Sequence, residues 1–158
     1  MTSMLIVRPL RIMLKVYLLT LFGLNLRVSS AVCILYRHPN GNIGKFSDSL
    51  EYMFNSSFFK KGLTNCVLCG DINLDILKFD NNSAIASYID MIISNNFQPL
   101  SVLPTRVTET SSTLIDNIYF RHDKNDNNFN LDSGINGCLL TDISDHFCKR
   151  LGYAIKIK

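Results

Sequence analysis

Short apolar runs that each break off at a cluster of polar residues constrain this chain more than any other feature. Residues 31–36 form one such run, closed by Arg37-His38-Pro39-Asn40-Gly41, and residues 66–69 form another, closed by Gly70-Asp71. Runs this short and this uniformly apolar suit buried strands better than buried helices. Between and after them the period changes. Phe46, Leu50, Met53, Phe54 and Phe58 recur at helical spacing and predict an amphipathic helix whose apolar face covers a sheet. Asn81, Asn82 and Ser83 predict the cap of a second helix, lined by Ile85, Tyr88, Ile89 and Ile92 and ended at Asn95-Asn96.

Further along, residues 99–112 read as a long polar loop around Pro104. Residues 113–120 alternate with apolar side chains on both sides, which predicts a strand buried on both faces. Residues 121–133 are a tract of Asp, Asn and Lys and read as an exposed loop. Residues 138–143 and 151–157 read as final strands paired around Ser144-Asp145-His146. Strands alternating with amphipathic helices give an α/β layered domain. The length of 158 residues, 47% of them hydrophobic, suffices for one such domain with a real core.

The net charge of +3 conceals an uneven distribution. Arg8, Arg11, Lys15, Arg27, Arg37 and Lys45 lie in the first 47 residues, which contain no acid, whereas the remainder sets 10 basic residues against 13 acids. The part that carries the polar clusters is therefore acidic, and it offers no basic footprint for a nucleic acid. Five cysteines at irregular spacing, mostly in apolar runs, argue against a disulfide framework and fit a reducing compartment. Cys66 and Cys69 form a CxxC, but in a strand they point to opposite faces, and Cys138 with Cys148 supplies no second pair for zinc. Residues 16–26 are uncharged and follow a basic stretch. They read either as a buried element or as the apolar core of a secretory signal, and eleven residues are too few to span a bilayer.

The chemistry-bearing residues stand at strand ends. Asp71 and Asn73 follow a buried strand and a glycine and, if the chain stays extended, point to the same side. A carboxylate there can orient or deprotonate a water, and the neighbouring amide can hold water or a phosphate oxygen without repelling it. The plainer reading is a turn or a cap. Asp116 lies among apolar neighbours and needs a partner, which His146 can provide. A carboxylate on one ring nitrogen fixes the tautomer of such a histidine and raises its basicity, which suits donation to a phosphoryl oxygen. Asp145 is then left for a divalent cation, although an Asp-His pair can equally be a surface turn. Tyr36 ends the first run and either reaches a phosphate oxygen or packs with its hydroxyl in water.

Taken in order, Tyr36-Arg37-His38-Pro39-Asn40, Gly70-Asp71-Ile72-Asn73, Thr113-Leu114-Ile115-Asp116-Asn117-Ile118 and Ser144-Asp145-His146-Phe147 resemble the late motifs of the endonuclease/exonuclease/phosphatase superfamily, the DNase I-like proteins. The run Gln98-Pro99-Leu100 to Pro104-Thr105-Arg106-Val107-Thr108 sharpens the resemblance to the apurinic-type endonuclease domains of non-LTR retrotransposons. It covers roughly residues 31–150 and leaves residues 1–30 as an unaligned apolar and basic segment before a partial domain at 31–158. The resemblance implies an incomplete four-layer α/β sandwich with mixed sheets flanked by helices. It implies that Asp71 activates water, that Asn73 places the water and the phosphate, and that Asp116 orients His146. His146 and Tyr36 would contact the scissile phosphate, Asp145 would bind Mg²⁺ or Mn²⁺, and DNA would be the substrate. In retrotransposons such a nick leaves a 3′ hydroxyl that primes reverse transcription.

The family also places a metal-binding Glu upstream of the tyrosine motif, and no acid precedes Asp48. Weak or absent catalysis by a truncated domain is the expectation. Two other readings stand beside it. One is a phosphoesterase of the same superfamily acting on a phosphoinositide or nucleotide. The other is a non-catalytic relic directed to a membrane or to secretion by its amino end. The expected location is intracellular, nuclear or cytoplasmic, with secretion as the alternative.

Overall fold

The longest described strands lie side by side near the amino end. In the computed structural model, which describes residues 12–23, 26–60, 63, 65–100, 102–122, 135–139 and 148–152, β1 (Ile12–Gly23) runs antiparallel to β2 (Leu26–Arg37). β2 continues without a break through residues 30 and 31, where the family resemblance begins. It then pairs in parallel with β3 (Asn65–Asp71), and β3 pairs antiparallel with β7 (Asp116–His122). β4 (Gln98–Pro99) adds a two-residue edge to β7, giving a mixed sheet of order β1-β2-β3-β7-β4. Two parallel neighbours cannot be joined by a tight turn. The crossover from β2 to β3 accordingly carries α1 (Ile43–Asn55) and the single turn α2 (Ser57–Lys60).

The helices form where their caps allow. Asn42 accepts a hydrogen bond from the Lys45 amide at 2.9 Å and starts α1. Asn82 takes the amides of Ala84 and Ile85 and starts α3 (Ser83–Ser94), which follows a 3-10 segment at Ile76–Asn81. α3 ends where expected, with Asn96 in the left-handed region at φ 62°. α1 stops short of Phe58. Ser56 turns extended and its hydroxyl bonds the Met53 carbonyl at 2.6 Å, so Phe59 is the aromatic that packs on Phe54, with ring centroids 5.8 Å apart.

One face of the sheet is the core. Ala31, Cys33, Leu35, Cys66, Leu68 and Tyr119 pack beneath Phe46, Leu50, Met53 and Phe54 of α1 and Tyr88 and Ile92 of α3. Alternation sends Val32, Ile34, Val67, Cys69 and Ile118 to the other face, which is less covered, and Ile34 is 41% exposed. Cys66 and Cys69 thus lie on opposite faces, as an extended CxxC requires.

Two expectations need correction. The stretch from Pro99 to Ser112 is not one long loop, because Pro99 belongs to β4 and a small hairpin forms between β5 (Arg106–Val107) and β6 (Ser112–Thr113). Strand β7 starts at Asp116, not at Thr113, and its second face is only partly covered. The last described strands, β8 (Ile135–Leu139) and β9 (Cys148–Gly152), form an antiparallel pair that overlaps the two final strands expected, whose remaining residues and the Ser144-Asp145-His146 segment lie outside the described residues. No described helix is long and apolar enough to cross a membrane.

Burial raises the phenol pKa values of Tyr88 and Tyr119 above their ordinary 10.0. A hydrogen bond that the Cys33 thiol donates to Cys66, together with burial, raises the Cys33 thiol, and burial raises Cys69. Each group holds its proton to higher pH when folded than when unfolded, so the unfolded chain releases it first. Stability is therefore full below the ordinary thiol and phenol values and falls as pH rises past about 9. Urea midpoints measured between neutral pH and pH 11 should show this decline, and Tyr88→Phe should flatten its upper part.

Candidate active site

Two registers bring the polar strand ends together. Tyr36 at the end of β2 lies opposite Asp71 of β3, and Asp71 lies opposite Asp116 of β7. Residues paired across a sheet share a face, with Cα atoms roughly 4.5 to 5.5 Å apart. Tyr36, Asp71 and Asp116 therefore stand in one row on three adjacent strands, on the face away from α1 and α3. Tyr36 is 37% exposed and the two carboxylates are half-buried, so the row is open to a ligand.

Gly70 makes the row possible. It sits opposite Leu35 at φ 146°, and a Cβ built there would overlap the Leu35 carbonyl oxygen. Only glycine tolerates both the backbone angle and the close approach. The Gly-Asp pair in the sequence is thus a backbone requirement followed by a functional group.

Beyond Asp71 the extended path ends, which corrects the expectation for Asn73. Asn73 has φ 48°, its amide donates to Asp71 Oδ1 at 3.0 Å, and its side-chain Nδ2 donates to the Arg37 carbonyl at 2.9 Å. Asparagine is among the residues that enter this region most readily. Asn73 is therefore tied to Asp71 by a tight Asx turn and does not sit beside it on an extended strand.

Neighbouring segments hold this turn in place. The Ile72 amide donates to the Ile115 carbonyl at 3.0 Å, and the Ile76 amide to the Leu114 carbonyl at 3.2 Å. Asp75 Oδ1 accepts from the Leu114 amide at 3.0 Å, and its Oδ2 lies 3.2 Å from Lys78 Nζ. These contacts extend the β3–β7 pairing past the two carboxylates.

Two supporting residues have roles that the sequence did not reveal. Thr105 is fully buried, and its Oγ1 accepts from the amides of Ile115 at 3.2 Å and Asp116 at 3.0 Å. It fixes the backbone from which the Asp116 carboxylate projects. Arg37 is 3% exposed, and its guanidinium bonds the carbonyls of Ile72 and Asn73 at 2.7 and 2.6 Å and those of Gly41 and Pro39. Burial lowers its pKa, an effect that the nearby Asp71 opposes. Both residues stood inside recognised motifs, Thr105 after Pro104 and Arg37 after Tyr36, but neither motif shows what its side chain bonds.

Asp145 and His146 lie outside the described residues. The row offers only oxygen donors, two of them carboxylates, which suits a hard cation that keeps several waters and binds one or two carboxylates plus phosphate oxygens. Among the described residues no group of three His, Cys, Asp or Glu side chains converges.

No family model and no curated protein matches this sequence. Solved structures do match it. The endonuclease domain of TRAS1, a telomere-specific non-LTR retrotransposon, aligns over 99% of this chain with a TM-score of 0.63 and 12% identity. D. rerio TDP2 complexed with single-strand DNA product aligns over 93% with a TM-score of 0.58 and 12% identity. An endonuclease/exonuclease/phosphatase family protein from Leptotrichia buccalis aligns over 90% with a TM-score of 0.56 and 11% identity. The chain spans 69%, 64% and 54% of those three structures. The mixed sheet with its helices is therefore the DNase I-like fold of the endonuclease/exonuclease/phosphatase proteins.

Thr105→Val keeps the volume but removes the acceptor of two buried amides. It should lower stability by about 1–3 kcal/mol in urea unfolding, with a larger local effect on the exchange of the Asp116 amide than on amides of α3.

Proposed function

We propose that this chain is a divalent-cation-dependent phosphodiesterase, a DNA endonuclease of the retrotransposon type, with low catalytic power. The row formed by Tyr36, Asp71 and Asp116 carries the reading. It lies where the sequence motifs, the fold and the chemistry of phosphodiester hydrolysis coincide.

Asp71, on the open face of the sheet, accepts the proton of an attacking water or orients it. Asn73 keeps its amide oxygen and one N–H for water or a phosphate oxygen, since only one N–H is given to Arg37. The Tyr36 hydroxyl donates to a non-bridging phosphate oxygen. By the resemblance, Asp116 is the carboxylate that would hold His146 in one tautomer, so that the imidazole could meet the developing charge on phosphorus. Asp145 is the residue for a Mg²⁺ or Mn²⁺ ion, whose part when bound is to neutralise phosphate charge. The resemblance asks for a second metal carboxylate upstream, and no acid precedes Asp48. A cation held among these 158 residues by Asp145 alone would bind weakly, which sets the expected activity of this chain by itself low.

Supercoiled plasmid and an abasic duplex, each incubated with Mg²⁺ or Mn²⁺, test the proposal. Slow nicking at most is expected, leaving 3′ hydroxyl ends that a polymerase extends. Asp71→Asn and Asp116→Asn should each lower the residual rate by about a hundredfold or more. Cleavage that survives Asp71→Asn would refute the assignment. So would the absence of both nicking and cation-dependent binding of nicked DNA. Robust nicking that vanishes in His146→Ala would keep the phosphodiesterase but overturn the need for an upstream carboxylate.

A further inference from the structure

We infer that Arg37 is a positioning residue for the Asp71–Asn73 turn, acting as a cationic latch that holds Asn73 in its left-handed conformation beside the site. The inference rests on the proposed roles of Asp71 and Asn73 in placing water and phosphate, and it assigns a task to a side chain outside the reacting row.

The geometry is reciprocal. Arg37 donates from Nε to the Ile72 carbonyl at 2.7 Å and from Nη2 to the Asn73 carbonyl at 2.6 Å, while Asn73 returns its Nδ2 to the Arg37 carbonyl at 2.9 Å. The remaining nitrogen, Nη1, bonds the carbonyls of Gly41 and Pro39 in the loop after β2. One guanidinium thus ties the loop after β2 to the loop after β3, and these are the loops that come after Tyr36 and Asp71. Asn73 in turn gives its backbone amide to Asp71 Oδ1 at 3.0 Å. The chain of contacts runs from Arg37 through Asn73 to the carboxylate.

Stability alone is a poor reason for this arrangement. A charged group that is 3% exposed and meets main-chain carbonyls loses hydration that an apolar side chain would not need. Its specific property is the planar fork, which bonds two consecutive carbonyls at fixed angles. Lysine presents a single ammonium and cannot span them in the same way. The fork therefore specifies a conformation, and the conformation it specifies is that of Asn73.

The test compares full-length wild type with Arg37→Met and Arg37→Lys, using ¹⁵N-labelled protein. In Arg37→Met, hydrogen exchange at the Asn73 backbone and side-chain amides should quicken by about tenfold or more, while amides of α3 around Ile92 keep their protection. Millimolar guanidinium ion should restore the slow exchange, and methylammonium should not. Arg37→Lys keeps the charge without the fork, so it should loosen Asn73 as well. Wherever wild type cleaves, kcat should fall roughly ten- to a hundredfold with KM nearly unchanged.

Wild-type exchange at Asn73 in a folded Arg37→Met protein would overturn the inference. Should Arg37→Met fail to fold, unchanged Asn73 exchange in Arg37→Lys would do the same. A wild type that cleaves nothing counts against the phosphodiesterase reading alone, because the exchange measurements still decide whether Arg37 sets Asn73.

Discussion

The close approach of β2 and β3 at Gly70 governs the rest of this structure. Leu35 and Gly70 are partners in the parallel register, and the Leu35 carbonyl occupies the space that a side chain at 70 would need. That contact ends the strand pair at a defined place. One residue later on each strand come Tyr36 and Asp71, and β7 brings Asp116 into the same row. A one-residue slip of β3 against β2 would turn Asp71 to the buried face, away from Tyr36, where α1 and α3 pack.

Past the row, Ile72, Leu74, Ile76 and Leu114 stay in the buried core, and directional hydrogen bonds fix the course of the backbone between them. Ile72 and Ile76 pair with Ile115 and Leu114, Thr105 receives the amides of Ile115 and Asp116, and Arg37 joins the two loops after the parallel strands. The aromatic cluster of Phe46, Phe54, Tyr88, Phe97 and Tyr119 lies on the opposite side of the sheet. Packing therefore sets where the strands lie, and directional bonds set how the site residues leave them.

This division explains what could be read from the sequence. The buried strands and α3 were legible because many residues repeat one physical signal: continuous apolar runs for β2 and β3, a helical stripe and Asn caps for α3. Elements resting on one or two residues were not. The two-residue strands β5 and β6 are too short to show any period. The end of α1 depends on a single hydroxyl at Ser56, which shifts the aromatic contact from Phe58 to Phe59. Asp71 at a strand end and Asp116 within an apolar stretch were each recognisable as candidate carboxylates, but the positive φ of Asn73 was not. Arg37 was hidden for a different reason. A cation at the end of a strand usually means solvent, and only the coordinates show four carbonyls converging on it.

The partly covered sheet face has a consequence for how a polyanion would be gripped. From residue 30 onward, β2, β3 and β7 place on that face Ser30, Val32, Ile34, Tyr36, Asn65, Val67, Cys69, Asp71, Asp116, Ile118, Phe120 and His122, with neither lysine nor arginine among them. Attachment of nucleic acid to most proteins weakens steeply with added salt because lysines and arginines liberate condensed ions from the phosphates. These three strands present no such groups there. Whatever hold these three strands themselves take on a phosphodiester backbone draws on shape, on uncharged donors and on the cation that accompanies the phosphate, with no lysine or arginine of theirs on that face to release condensed ions.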